Sequence, residues 1–107
     1  MTLVDSVGWI EFFTNGSLAA QYEKHLDSTS NIVPTIILFV VYKKIKREKS
    51  EEMALVAIAT MQKALIVSLT EELSLAAADV GLKYKLAMAD SIVYATALHH
   101  KSFPCYK

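Results

Sequence analysis

The chain has 107 residues, with Lys+Arg and Asp+Glu balanced at 11 each and 53% apolar residues. That suffices for one small domain with a real core, and it excludes a disordered chain. The balanced charge excludes a global electrostatic attraction to nucleic acid, so any such contact has to be local.

In chain order, Thr2-Leu3-Val4 reads as a short buried strand that ends at Asp5-Ser6. Val7 to Phe13 predicts a helix broken by Asn15-Gly16. Trp9, Phe12 and Phe13 are assigned to the core or a dimer contact, and Glu11 to solvent or the surroundings of Asp5. Ser17 caps a second predicted helix to about His25, with Leu18, Tyr22 and Leu26 on one face, and Asp27 to Ser30 forms a polar turn. Ile32-Val33 predicts a second strand, stopped by Pro34.

Thr35 to about Lys49 predicts a helix that is apolar nearly all round from Ile36 to Val41 and basic from Lys43 to Lys49. Ser50, with Glu51 and Glu52 in the first turn, starts a helix to about Lys63. Its apolar residues fit no single stripe, which predicts cover on two sides, by the core and by a partner chain. Leu65 to Leu69 is a third predicted strand. Thr70 caps a helix whose stripe is Leu73, Ala76, Ala77, Val80 and Tyr84, and Ala87 or Met88 opens a last helix to about His100. Lys101 to Lys107 has no periodicity and contains Pro104.

Strands separated by helices predict a parallel α/β sheet, whose function collects at the carboxyl ends of the strands. The lone Cys105 excludes an internal disulfide and suits a reducing cytosol. The first residues lack the basic and apolar stretches of a secretory leader. The longest apolar run, Ile32 to Tyr42, falls short of the roughly 20 residues a membrane span needs, so a soluble, cytoplasmic protein is expected.

Asp5 and Asp90 are the leading candidates for chemistry. Clustered carboxylates supply the hard oxygen donors that Mg²⁺ or Mn²⁺ takes, and such an ion stabilises charge on a phosphodiester. The plainer alternative is that each aspartate caps the helix that follows it. His99, His100 and Cys105 are zinc-type ligands, but adjacent histidines on a helix point to different sides, and His25 is assigned to the surface.

Four segments share a further pattern. Leu3-Val4-Asp5-Ser6-Val7-Gly8-Trp9-Ile10 resembles the opening strand and loop of PIN-domain nucleases. Ile32-Val33-Pro34-Thr35-Ile36-Ile37-Leu38-Phe39 and Tyr42-Lys43-Lys44-Ile45-Lys46-Arg47 resemble the second strand and helix of the VapC-type toxins of that family. Val67-Ser68-Leu69-Thr70-Glu71-Glu72 resembles their third strand and helix start, and Lys85 to Ala97 resembles their most characteristic motif. The resemblance runs in the expected order over roughly residues 1 to 100.

It implies a three-layer α/β domain over 1–100 with a short parallel sheet flanked by helices. It also implies a Mg²⁺- or Mn²⁺-dependent endoribonuclease acting on RNA, a homodimer, and a small antitoxin protein as partner. Of the family's four acids, Asp5 matches the first and Asp90 the third, and Ser6 matches the small hydroxyl residue beside the first. The position of the second acid is Val40, and residues 101–107 match nothing of the segment that carries the fourth. The tail reads as a frameshift or truncation product, so the final strand is expected to be missing and the exposed sheet edge to favour an oligomer. Two lost carboxylates imply weak metal binding and impaired hydrolysis. Lys44, one turn beyond Val40, is the expected RNA contact. The alternative implied is a catalytically dead domain that dimerises or binds an antitoxin.

Overall fold

Leu3 and Val4 are completely buried, and the sheet is built around them. The computed structural model describes residues 2–14, 31–100 and 103–105. Their order is β1 (Thr2–Val4), α1 (Ser6–Phe13), β2 (Asn31–Pro34), α2 (Thr35–Glu48), α3 (Glu51–Met61), β3 (Leu65–Val67), α4 (Glu71–Tyr84), α5 (Met88–His99) and β4 (Phe103–Cys105). The break at Asn15-Gly16, the helix from Ser17 to His25 and the turn from Asp27 to Ser30 lie outside the described residues.

The strands lie in the order β3-β2-β1-β4, every neighbouring pair parallel. Thr2 pairs with Asn31 and Leu3 with Ile32, while Ile32 pairs with Leu65 across the other side of β2. Parallel strands buried on both faces need continuous apolar sequence, and Leu3-Val4 and Ile32-Val33 supply it. Each such side chain contributes on the order of 2 kcal/mol by leaving water.

The parallel α/β expectation is met, with one correction: the final strand is present. Phe103, Pro104 and Cys105 run beside Thr2, Leu3 and Val4. Strand pairing is made by backbone groups, so a segment lacking the expected acidic motif still adds to the sheet. Pro104 is tolerated because β4 is the outer strand, where a missing N–H is least costly.

Helix starts follow the capping chemistry. The Ser50 hydroxyl accepts from Met53 N–H at 3.1 Å, and the Thr70 hydroxyl accepts from Leu73 N–H at 3.1 Å. β3 ends at Val67, short of the predicted Leu69, because Ser68 and Leu69 lead directly into the Thr70 cap. On α3, Ala54, Ala57 and Met61 are buried against the main core, whereas Leu55 and Val56 are exposed. The stripe on α4 is narrower than predicted: Leu73 and Ala77 are buried, and Ala76 and Tyr84 are exposed. Tyr84 packs instead against Tyr94, ring centroids 5.6 Å apart. Trp9 is buried in the core and stacks on Phe13 at 5.7 Å. Trp9 Nε1 and Asn31 Oδ1 are buried without a hydrogen-bond partner among the described residues, each at a cost of about 1–3 kcal/mol.

Two apolar clusters result. The larger joins β1, β2, α1, α2 and α3 to Val93 and Ala97 of α5. The smaller joins Leu73 and Ala77 of α4 to Ile92 and Ala95 of α5, with Ile36 of α2 packed against it. Between α4 and α5 the approach is set by Gly81. A Cβ there would come within 2.6 Å of Ser91 Oγ and 3.4 Å of Ser91 Cβ. Ser91 Oγ is itself held, donating to Ala87 O at 2.8 Å.

Gly81→Ala sets a clash of about 1–3 kcal/mol against a gain of roughly 1 kcal/mol in helix propensity. Net destabilisation of about 1 kcal/mol is expected in urea unfolding. The double variant Gly81→Ala with Ser91→Ala removes the clashing oxygen and is expected to recover at least wild-type stability.

Candidate functional site

Asp5 stands at the carboxyl end of β1 and at the start of α1. Its backbone is extended, φ −69° and ψ 165°, which turns the chain out of the strand. Its carbonyl accepts from Gly8 N–H at 3.0 Å, and its carboxylate Oδ1 accepts from Ser6 N–H at 2.7 Å. Ser6 thus serves Asp5 through its backbone. The capping alternative and the site reading are both compatible with this residue: Asp5 caps α1 while its half-buried side chain remains at the strand ends.

Asp90 reaches the same end by another route. α4 terminates at Lys85, whose φ of 55° and ψ of 47° are left-handed. That conformation turns Leu86 N–H back onto Gly81 O at 3.0 Å and closes the helix. Ala87 then begins α5 without a side-chain cap, and Asp90 lies in the first turn, exposed. Asp90 is therefore not the cap of α5, contrary to the simpler alternative. A carboxylate in a first turn is favoured by the helix dipole.

The charge of Asp90 acts on Asp5. Burial pushes the Asp5 carboxyl above its ordinary value, the Ser6 N–H pulls it back, and the negative charge of Asp90 raises it further. Two residues 85 positions apart in sequence thus share one electrostatic environment at the strand ends.

Val40 is half-buried on α2. It lies one turn beyond Ile36, which packs against the α4–α5 cluster. Together with Phe39, Lys43, Lys44 and Arg47 it lines a depression of about 220 Å³. Lys44 Nζ pairs with the Glu48 carboxylate at 3.0 Å, and Arg47 Nη2 reaches the same carboxylate at 3.3 Å. Phe39 was counted with the apolar run in the sequence, yet it is 59% exposed, and Lys43 Nζ lies 5.6 Å from its ring centroid. The i,i+4 spacing of an aromatic and a lysine was the available signal.

Among the described residues, no group of three or more His, Cys, Asp or Glu side chains comes together to hold a metal ion. His99 and His100 form an edge-to-face ring pair at 5.3 Å. A divalent ion at the strand ends would find Asp5 and Asp90, with one Asp5 oxygen already accepting from Ser6. Mg²⁺ wants six oxygens and leaves water reluctantly. The two carboxylates do not fit a tightly held resident ion. No helix among the described residues is long and apolar enough to cross a membrane.

The sequence profile of the PIN domain matches residues 2–102. No curated protein matches the sequence significantly. Among solved structures, a toxin–antitoxin complex from Klebsiella pneumoniae is similar with a TM-score of 0.81 and 21% identity, over 97% of this chain and 83% of that one. VapC20 of Mycobacterium tuberculosis, described as a toxin that cleaves the sarcin–ricin loop, has a TM-score of 0.83 at 11% identity, over 95% of this chain and 85% of that one. At these identities the likeness is one of fold.

A carboxyl raised in the folded state binds its proton more tightly there than in the unfolded chain, so ionising it costs stability. That cost is absent below the unfolded value of 3.8 and grows as pH rises through the folded value. Asp5→Asn keeps an acceptor for Ser6 N–H and removes the charge. It is expected to raise the melting temperature at pH 7, with the gain shrinking as pH falls toward 3.8; a gain that persists unchanged in acid would contradict the assignment.

Proposed function

Because the chain belongs to the PIN domain family, we propose that it is a VapC-type toxin whose reaction is hydrolysis of RNA phosphodiesters and whose activity is impaired in this sequence. The observation that supports this most is the position of Asp5 at the carboxyl end of a buried strand in a parallel sheet, where such folds place their chemistry, with the charge of Asp90 acting on it. The fold likeness to a chain of a toxin–antitoxin complex from one bacterium, and to a toxin from another that is described as cleaving the sarcin–ricin loop, supports the same reading.

In the family a Mg²⁺ or Mn²⁺ ion supplies charge stabilisation and an activated water. This chain offers Asp5 and Asp90 as ligands, with the Ser6 N–H fixing the Asp5 carboxylate. Val40 brings a branched apolar side chain where the second carboxylate belongs. Asp5 and Asp90 would hold such an ion only weakly, and cleavage would be slow. The PIN unit matches residues 2–102, and β4 extends its sheet beyond them; the cytoplasm is its place of action, and a second copy and a small antitoxin are its protein partners.

A second reading has its own support. Leu55 and Val56 on α3 are more than half exposed, as are Leu82 and Met88 beside the cleft between α4 and α5. Such a surface suits a catalytically dead domain that dimerises or binds an antitoxin.

The experiment is RNA cleavage under Mn²⁺ titration, with size measured in parallel by light scattering. Slow metal-dependent cleavage that vanishes in Asp5→Asn is expected. Val40→Glu is expected to raise cleavage at least tenfold, since each tenfold corresponds to only about 1.4 kcal/mol of added stabilisation. Val40→Glu is also expected to make the melting temperature respond to Mn²⁺. An oligomer with no cleavage in either form would favour the second reading.

A further inference from the structure

The depression on α2 carries an arrangement that the acid pair does not use. Phe39 presents an aromatic ring that is 59% exposed, beside Val40. Lys43, Lys44 and Arg47 line the same hollow. The Glu48 carboxylate answers Lys44 and Arg47 together, and those two cations hold it below the ordinary carboxylate range. Three cations therefore face one anion, and the hollow keeps an excess of two positive charges on a chain whose formal net charge is zero.

Lys43 lies over the Phe39 ring at 5.6 Å from its centroid, and the ring is still mostly in solvent. The ring therefore has surface open to a ligand. Cations spaced one helical turn apart suit phosphates along an extended backbone, whereas a flat ring suits a nucleobase. Single-stranded nucleic acid is bound by that combination: a positive groove for the backbone and an aromatic face for the base.

We propose that Phe39, Lys43, Lys44 and Arg47 form a docking ledge for single-stranded RNA, with one base stacked on Phe39 and the adjoining phosphates against the three cations. The proposal rests on the reading of the chain as an RNA-acting protein. It names the residues on α2 that hold the strand. Phe39 and Lys43 are positioning residues, since neither reaches the carboxylates. The ledge binds RNA whether or not Asp5 and Asp90 hold an ion.

The test uses the full chain carrying Asp5→Asn, a 12-nucleotide oligouridylate with a fluorescent end, and anisotropy in EDTA. Phe39→Ala is expected to weaken binding about tenfold, and Phe39→Trp to retain or strengthen it, as stacking on an aromatic face requires. Phe39→Leu keeps apolar bulk without a π-face and is expected to behave like Ala. Lys43→Ala is expected to reduce the slope of log affinity against log salt by about 0.7, the value for one phosphate contact on a single strand. Circular dichroism of each variant is expected to match the parent, since both side chains are exposed.

Equal binding by Phe39→Ala, Phe39→Leu and the parent would overturn the ledge while leaving the nuclease reading to its own cleavage assay. So would failure of the oligonucleotide to bind while a labelled oligoglutamate peptide binds in a Phe39-dependent way, which would make the ledge a contact for an acidic protein. Loss of cleavage with intact Phe39-dependent binding would count against the nuclease reading alone.

Discussion

Everything at the acidic end of the molecule depends on β1 lying buried between two parallel neighbours. Parallel pairing forces each connection to cross back over the sheet through a helix. All the strands therefore finish on the same side, and the segments that leave them start there together. Leu3, Val4, Ile32 and Val33 make this arrangement favourable by removing their side chains from water. Asp5 then has no freedom about where it stands. It is the first residue past the buried strand, and α1 begins immediately behind it.

This placement sets two requirements against each other. The fold gains from a cap at the start of α1, and Asp5 provides it through Ser6 N–H. The same position is half-buried and faces the charge of Asp90, so the carboxylate is kept at a cost. A capping residue chosen for stability alone would be serine, threonine or asparagine, which cap comparably without the buried charge. A charged group at that point is consistent with a chemical task.

Much of this was legible in the residues. The strand Thr2–Val4, the Ser50 and Thr70 caps and the start of the last helix follow from local chemistry, since a hydroxyl before an acidic first turn has few other uses. The final strand was not legible. Phe103-Pro104-Cys105 has no alternation, holds a proline and pairs with β1 through backbone groups, which side-chain patterns do not encode. The exposure of Phe39 was hidden for a related reason: in a run as apolar as Ile36–Val41, periodicity cannot say which member turns outward. The close approach at Gly81 was also invisible, because it depends on the chain Ser91–Ala87 lying across from it. Asp5 and Asp90 stood out as a pair from their residue type and placement, the resemblance matched them to two acids of the family, and the influence of Asp90 on Asp5 required the three-dimensional arrangement.

The two apolar clusters are of unequal size, and the acid pair straddles them. Asp5 is fixed to the larger one through β1, whereas the first turn of α5 is anchored by Ser91 and Ile92 against α4. Val93 and Ala97 tie the remainder of α5 to the larger cluster. The spacing of the two carboxylates therefore depends on the packing of α4 against α5 as well as on the buried sheet, and neither cluster alone fixes it.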